Sequence, residues 1–219
     1  GLGAITQHIL PQVDSMDCIE LDRDIIPKLA EVCQDKGRLR IHTADALKFD
    51  FASFSEQFDQ QPIRIIGNLP YNISTPLIFH LFTFMHCIAD MHFMLQKEVV
   101  YRMAAAANEK NYGRLSIMTQ VYCEVETLFL VPPTAFRPAP KVDSAIVRLV
   151  PRAAPLADSA TLTRLNKIVT SAFNQRRKRL ANALKDWFTE SQLQDLGVDA
   201  NLRPENITLQ QYLSLAQHA

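Results

Sequence analysis

Three polar side chains follow apolar, strand-like segments of the sequence, each at the point where the segment ends. Glu20 ends the first of these segments, Asp45 follows the second and Asn68 follows the third. Because the carboxyl ends of the strands in an open α/β sheet line one crevice, we expect these side chains to converge on a single ligand. Glu20 also stands about 20 residues after Gly1-Leu2-Gly3, which is the spacing of a carboxylate that binds ribose hydroxyls in nucleotide-binding βαβ units. Either carboxylate alone fits a solvated loop equally well.

The four residues Asn68-Leu69-Pro70-Tyr71 have the groups needed to methylate the exocyclic amine of a nucleic-acid base. That amine is a poor nucleophile because its lone pair is delocalised into the ring. An Asn side-chain oxygen and a nearby backbone carbonyl accept its two N–H bonds and direct the lone pair towards an incoming methyl group. Pro70 restricts the backbone that carries the carbonyl, and Tyr71 offers a ring on which an unstacked base is held.

This chemistry depends on positioning more than on a strong general base. The sulfonium of S-adenosylmethionine is a good leaving group, so holding the amine and the methyl group in line supplies most of the catalysis. The alternative is a turn after a strand, where Asn-x-Pro is also common. The preceding apolar strand and the two upstream carboxylates favour the catalytic interpretation.

These residues belong to a set of motifs that resembles the ribosomal RNA adenine dimethyltransferases over nearly the whole chain. The motifs are Gly1-x-Gly3, Ile19-Glu20-Leu21-Asp22, Asp45-Ala46 and the runs at residues 68–76, 95–99, 112–116, 136–144 and 172–178. The run at residues 136–144 is more similar to the members of the family that act on 16S rRNA. The resistance methyltransferases that act on 23S rRNA share the catalytic motif.

The resemblance implies a role for each of the motif residues. The cofactor site would consist of Gly1, Gly3, Glu20, Asp45, Ala46 and Asn68. Glu20 would bind the ribose, Asp45 the adenine amine, and Asn68 the methionine end of S-adenosylmethionine. In catalysis Asn68 would also contact the target amine, Leu69 would give a backbone carbonyl and Tyr71 would stack on the target, with Pro70 completing the catalytic set.

The sequence opens without an initiator Met, and no strand precedes Gly1-Leu2-Gly3. A Gly-x-Gly turn binds a nucleotide because it joins the first, central strand of a doubly wound sheet to its helix. We therefore expect the natural protein to have an N-terminal segment that this sequence lacks. The family's upstream Gln-Asn-Phe-Leu motif, together with the first glycine and the acid of its Gly-rich loop, would lie in that segment.

Alternating strand and helix signals predict an α/β fold in residues 1–151, and helix signals alone predict a small all-helical domain in residues 158–219. The resemblance implies that the sheet is a Rossmann-like methyltransferase sheet. Strands are predicted at residues 16–21, 39–43, 63–66, 91–95, 125–130 and 145–150, the last of them antiparallel. Thr75 is expected to cap a helix that has Pro76 in its first position. The Ala-, Pro- and Asp-rich residues 151–159 are typical of a linker. Helices are predicted beyond it at residues 161–174, 176–188, 190–196 and 209–216.

The composition excludes several classes of protein. The 219 residues, 47% of them hydrophobic and 21% charged, form an ordinary globular chain and not a disordered one. The four scattered cysteines predict no disulfide framework and favour a reduced, cytoplasmic location. The six histidines have no zinc-binding spacing, so we expect no metal. The most apolar stretch, residues 76–95, contains His80 and Asp90, which argues against a membrane span.

Charge is unevenly distributed along the chain. Residues 1–130 have 11 basic and 16 acidic groups, whereas residues 131–219 have 12 and 7. The four cations Arg176, Arg177, Lys178 and Arg179 are expected at the start of a helix, where they are unfavourable unless an anion lies nearby. We therefore interpret them as RNA contacts, with a solvated helix face as the alternative. Lys141 is a further candidate for RNA binding, in a loop that either closes over the target base or simply connects two strands.

The resemblance, together with the composition, predicts a cytoplasmic methyltransferase that acts as a monomer in ribosome biogenesis. It would transfer methyl groups from S-adenosylmethionine to N6 of two adjacent adenosines near the 3′ end of 16S rRNA, within a small-subunit precursor particle, to give dimethyladenosine. One alternative is the same chemistry on 23S rRNA or DNA. Another is an assembly factor for the small subunit that acts mainly by binding. A nicotinamide dehydrogenase gives no reason for Asn68-Leu69-Pro70-Tyr71 and is a distant third.

Overall fold

The computed structural model describes residues 1–59 and 61–219, which form two compact units. The first unit comprises Gly1–Pro62 and Pro70–Cys87, and the second comprises Ile63–Leu69 and Ile88–Ala219. Within the described residues, no helix has both the length and the apolar run needed to cross a membrane. The boundaries expected at residues 151 and 158 stay a prediction.

The first unit is built around a pair of parallel strands. Strand β1 is Met16–Glu20 and strand β2 is Leu39–Thr43, and Glu20 is opposite Thr43 in their register. The helices are α1 (Thr6–Ile9), α2 (Ile26–Cys33), α3 (Phe51–Glu56) and α4 (Ser74–Leu81), with short 3-10 turns at Leu10–Gln12 and Phe82–Cys87. Leu10, Leu29 and Cys33 form a buried core against β1 and β2. The parallel pair joined by α2 is the βαβ arrangement expected for residues 16–43.

Helix α4 begins at Ser74, two residues earlier than the sequence predicts, so the expected cap at Thr75 is wrong. The Pro70 carbonyl accepts hydrogen bonds from the N–H groups of both Ile73 and Ser74, each at 3.1 Å, and these bonds begin the helical turn. The Ser74 hydroxyl donates to the Tyr71 carbonyl at 3.1 Å. The helix therefore starts from the Asn68-Leu69-Pro70-Tyr71 motif itself, and this fixes the backbone just after the catalytic candidates.

The second unit contains a mixed sheet. Its strands are β3 (Ile63–Asn68), β4 (Ile88–Gln96), β5 (Cys123–Val131) and β6 (Ser144–Pro151), arranged in the order β3-β4-β6-β5. Strands β3 and β4 are parallel, whereas β6 is antiparallel to both β4 and β5, as the sequence predicts for residues 145–150. Helices α5 (Lys97–Ala104) and α6 (Arg114–Tyr122) connect β4 to β5.

A cluster of charged side chains joins three neighbouring strands of this sheet. Asp90 on β4 is only 7% exposed and accepts two hydrogen bonds from Arg64 on β3, at 3.0 and 2.9 Å. Arg148 on β6 and His92 on β4 lie within 3.9 and 3.6 Å of the same carboxylate. The Arg64 hydrogen bonds lower the pKa of Asp90, against the opposing effect of burial. Asp90 is therefore an ionised group that ties β3, β4 and β6 together.

In the described part of the chain, residues 159–219 contain helices and turns and no strand. The helices are α7 (Ser159–Asn174), α8 (Leu180–Ala183), α9 (Glu190–Asp195) and α10 (Leu209–Gln217). Helix α7 begins where the Asp158 carboxylate accepts the Thr161 N–H at 2.7 Å. The buried Tyr112, which precedes α6, donates its hydroxyl to the Ile207 carbonyl at 3.0 Å. This bond and the apolar face of α7 hold the helices onto the rest of the second unit.

The basic run lies in a turn and not at the start of a helix, so this part of the sequence interpretation is wrong. Helix α7 ends at Asn174, the Lys178 N–H donates to the Gln175 carbonyl at 2.8 Å, and α8 begins only at Leu180. The run therefore follows the carboxyl end of α7, where the helix dipole favours cations. The four side chains at residues 176–179 are all exposed.

Candidate active site

The first unit brings two of the predicted cofactor residues to one edge of its parallel pair. Glu20 is the last residue of β1, and Asp45 comes two residues after the end of β2. The Ala44 N–H donates to the Glu20 carbonyl at 3.2 Å and extends the pairing to this edge. Ala46, half-buried, follows directly. The expectation that Glu20 and Asp45 lie at the same end of neighbouring strands therefore agrees with the structure.

Backbone hydrogen bonds orient both carboxylates. Glu20 Oε1 accepts the Asp22 N–H at 3.0 Å. Asp45 Oδ1 accepts the Leu47 N–H at 2.9 Å, while Oδ2 accepts no hydrogen bond from the described residues. Each carboxylate is thus an oriented acceptor, which fits the hydroxyl and amine donors of a nucleoside.

Gly3 has a backbone conformation that favours glycine. Its φ is +81°, and a Cβ at this position would lie 3.0 Å from Leu29 Cδ1 and 3.3 Å from Val32 Cγ1. Its carbonyl accepts the Gln7 N–H at 3.0 Å, at the start of α1. The backbone of the Gly1-Leu2-Gly3 turn is therefore packed directly against α2, without a side chain between them.

Asn68 and Leu69 end β3 in the second unit. Asn68 is exposed, and its carboxamide makes no hydrogen bond to any described residue. Leu69 is buried, and its N–H donates to the Met94 carbonyl at 3.2 Å. Its own carbonyl accepts no bond from the described part of the chain. The chain thus fixes the backbone here and leaves the two acceptors that the chemistry requires available for a ligand.

Pro70 and Tyr71 continue the motif in the first unit. The Pro70 carbonyl accepts the two N–H groups that begin α4, so it has no role as an acceptor for a ligand. Tyr71 is 45% exposed, which is unusual for a large aromatic side chain held between two ordered segments. The exposed ring has the surface needed for stacking a base.

Two of the four cations in the basic turn are already paired. Arg176 forms an ion pair with Glu205 and donates to the Lys110 carbonyl at 2.8 Å, and Arg179 lies 3.3 Å from Glu190. Arg177 and Lys178 form no ion pair with the described residues. The cations available to a polyanion are therefore fewer than the sequence suggests.

Sequence reasoning missed a cavity of about 410 Å³ at the carboxyl end of β4. It is lined by Gln96, Lys97, Tyr101, Asn111 and the predicted RNA contact Lys141, among others. Residues 95–99 and 136–144 were recognised as motifs, but nothing in the sequence singles out Tyr101 or Asn111. Tyr101 lies on α5 one turn after Lys97, and only the folded chain shows that its ring is exposed.

Comparison with known proteins gives consistent results over the whole chain. Residues 1–219 match a family model described as ribosomal RNA adenine dimethylase. The chain is 54% identical to the ribosomal RNA small subunit methyltransferase A of Yersinia pestis (strain Pestoides F) over 216 residues, covering 99% of this chain and 79% of that protein.

Solved structures agree with this assignment. The crystal structure of a dimethyladenosine transferase from Plasmodium falciparum matches with a TM-score of 0.80 and 26% identity, covering 98% of this chain and 85% of that one. The 23S rRNA methyltransferase ErmE matches with a TM-score of 0.73 and 24% identity over 99% of this chain and 86% of that one, and shows the shared fold alone. The predicted Rossmann-like α/β fold and the predicted methyltransferase activity are confirmed. The chain belongs to the ribosomal RNA adenine dimethylase family.

Proposed function

We propose that the protein transfers methyl groups from S-adenosylmethionine to N6 of two adjacent adenosines near the 3′ end of 16S rRNA, within a precursor of the small ribosomal subunit. The observation that carries this proposal is the geometry of Asn68 and Leu69. Two neighbouring acceptors, a carboxamide oxygen and a backbone carbonyl, are left without a donor at the end of a well-fixed strand. An exocyclic amine has two N–H donors to match them.

Glu20 and Asp45 are the residues that would hold the nucleoside part of the cofactor. The Glu20 carboxylate, oriented by the Asp22 N–H, would accept hydrogen bonds from the ribose hydroxyls. Asp45 has the free oxygen Oδ2 for the adenine amine. Gly1, Gly3 and Ala46 complete the proposed site, and Gly3 lets the turn approach without a side chain. When bound, S-adenosylmethionine supplies an electrophilic methyl group on a sulfonium.

The acceptors at Asn68 and Leu69 would align the target amine for attack. Hydrogen bonds from both N–H groups keep the lone pair out of conjugation and point it at the methyl group. Tyr71 would hold the adenine by stacking after it leaves its helix, which makes the base accessible. As the new C–N bond forms and the C–S bond breaks, the proton leaves the nitrogen for water, so no basic side chain is needed. The monomethylated amine has one N–H left, so it would donate to only one of the two acceptors during the second transfer.

The basic turn at residues 176–179 and Lys141 would bind the phosphates of the RNA. Arg177 and Lys178 are exposed and form no ion pair with the described residues. Each would therefore be able to neutralise an RNA phosphate and release the counterions condensed on the RNA, which favours binding. Arg176 and Arg179 would contribute less, because each already has a carboxylate partner. We place the reaction in the cytoplasm, with the protein acting as a monomer.

A comparison of substrates tests the proposal. The protein, in its natural full-length form, is incubated with S-adenosylmethionine and unmodified small-subunit particles, with 23S rRNA, or with duplex DNA. Dimethyladenosine is expected only in the RNA of the small-subunit particles. Its appearance in 23S rRNA or methylation of DNA would contradict the substrate assignment, and particle binding without methylation would instead indicate an assembly factor.

A further inference from the structure

The cavity at the end of β4 has an exposed aromatic ring beside a cation. Tyr101 is 37% exposed, and the Lys97 ammonium lies 5.8 Å from the centre of its ring. Proteins that bind single-stranded nucleic acid combine exposed rings, on which bases stack, with nearby cations that bind the phosphates. The volume of about 410 Å³ is in the range of small-ligand sites.

The charges around the cavity leave one cation without a partner. Lys97 lies 3.2 Å from Asp143, and Glu98 forms an ion pair with Arg102. Lys141 forms no ion pair with any described residue and is exposed. Each lining carboxylate thus has its own cation, and among the described lining residues Lys141 is left to pair with an anionic ligand.

Two carboxamides in the same cavity have no partner within the described chain. They belong to Gln96, the last residue of β4, and to Asn111. A carboxamide presents a donor and an acceptor together, which is what the edge of an unstacked base also presents. The ring, the cation and the amides therefore supply stacking, phosphate binding and base-edge contacts.

The position of the cavity relates it to the catalytic motif within the second unit. Asn68 is opposite Met94 in the parallel register of β3 and β4, and Leu69 is hydrogen-bonded to Met94. Gln96 comes two residues later on β4, a rise of about 7 Å along the strand. A neighbour of the target nucleotide in the same strand is therefore able to reach the cavity.

We propose that this cavity binds a nucleotide adjacent to the target adenosine, with its base stacked on Tyr101, its phosphate paired with Lys141 and its edge contacted by Gln96 and Asn111. The inference rests on the proposed function, because it takes single-stranded rRNA as the ligand. It adds a second contact on the substrate, separate from the one at Asn68-Leu69-Pro70-Tyr71. Holding the neighbouring nucleotide would keep the RNA splayed open while the target base is methylated.

An abasic scan of the RNA tests the proposal. Small-subunit particles are assembled with a synthetic 3′ segment that has an abasic ribose at one nucleotide flanking the target adenosines, and kcat/KM and Kd are measured with each substrate. At one flanking position we expect the lesion to lower both kcat/KM and affinity for the wild-type protein about tenfold, the effect of one lost stacked base. Tyr101→Leu is expected to cause a similar loss on intact RNA and to be insensitive to the lesion at that position.

The controls separate stacking from a general effect on folding. Tyr101→Phe keeps the ring and is expected to behave as wild type, and so is Phe129→Leu, which removes an even more exposed ring from β5. Two results would contradict the proposal that the cavity binds the neighbouring base. One is that the loss from the abasic site and the loss from Tyr101→Leu multiply at every flanking position, as independent effects do. The other is that Tyr101→Leu has wild-type kcat/KM and Kd. Absence of dimethyladenosine from wild-type reactions on intact RNA would contradict the proposed function instead, and the Kd measurements would still decide the cavity's role.

Discussion

At the scale of single residues, the proposed chemistry depends on a few polar groups at strand ends. The positions of Asn68, Glu20 and Asp45 were predictable, because each is a polar side chain at the end of an apolar strand, where parallel sheets present their ligand-binding edge. Tyr101 and Asn111 were not predictable. Whether a ring on a short helix is exposed depends on what packs against that helix, and periodicity does not report it.

Replacement of Gly3 tests whether the positive φ and the close packing of the Gly1-Leu2-Gly3 turn contribute to stability. Gly3→Ala is expected to lower the free energy of unfolding by about 1–3 kcal/mol, because alanine is strained at φ +81° and its Cβ would crowd Leu29 at 3.0 Å. Urea unfolding at neutral pH measures the change. Gly1→Ala is the matched control, since nothing lies within 4 Å of a Cβ there, and it should unfold as wild type. Equal stability of the Gly3→Ala and wild-type proteins would show that the turn is not constrained.

At the scale of elements, strands were predicted better than helix starts. The β-branched and apolar runs identify the strands, and the antiparallel direction of β6 agrees with the prediction. The predicted start of α4 and the predicted helical position of the basic run were wrong, because local backbone hydrogen bonds decide both. The Pro70 carbonyl begins α4 early, and the bond from the Lys178 N–H to the Gln175 carbonyl holds the basic run in a turn after α7.

The charged cluster across β3, β4 and β6 is expected to stabilise the mixed sheet in a pH-dependent way. Asp90→Asn should lower the free energy of unfolding at pH 7 by about 1–3 kcal/mol, because it weakens charge-assisted hydrogen bonds from Arg64. The pKa of Asp90 is lowered in the folded protein, so its contribution is complete above the unfolded carboxyl pKa, about 4. That contribution is lost as the pH falls through the lower folded value.

Urea unfolding at several pH values between 7 and 3 checks this expectation. The difference between the wild-type and Asp90→Asn proteins should shrink below about pH 4. Glu126→Gln is the control, since that carboxylate also lies near Arg148 but its side chain is 62% exposed. A constant difference across the pH range would mean that Asp90 acts through packing and not through its charge.

At the scale of the whole molecule, net charge conceals where a polyanion binds. The chain is neutral overall, but residues 131–219 hold 12 basic and 7 acidic groups. This imbalance was visible in the sequence, whereas the pairing of Arg176 and Arg179 with carboxylates was not. Those carboxylates, Glu205 and Glu190, are distant in sequence from the cations that they neutralise.

Arg177 and Lys178 are expected to supply most of the electrostatic binding by the basic turn. Replacing both by Gln should weaken binding to small-subunit particles and reduce the slope of log K against log salt by about 1 for each lost phosphate contact. Filter binding at several salt concentrations measures the slope. Lys28→Gln with Lys48→Gln removes two exposed cations from the acidic residues 1–130 and should leave the slope unchanged. An equal effect of the two double variants would indicate a non-specific dependence on net charge.

The most direct measurement is mass spectrometry of RNA from unmodified small-subunit particles after incubation with S-adenosylmethionine and either wild-type protein or Asn68→Ala. Wild type is expected to give dimethyladenosine. Asn68→Ala is expected to form it at least about a hundredfold more slowly, because the variant lacks a hydrogen bond that positions the amine in the transition state. Asn68 is exposed, so Asn68→Ala should bind particles and unfold as wild type does. Gln194→Ala removes an exposed carboxamide from α9 and should retain full activity. Dimethyladenosine formed by Asn68→Ala at the wild-type rate would contradict the proposed mechanism.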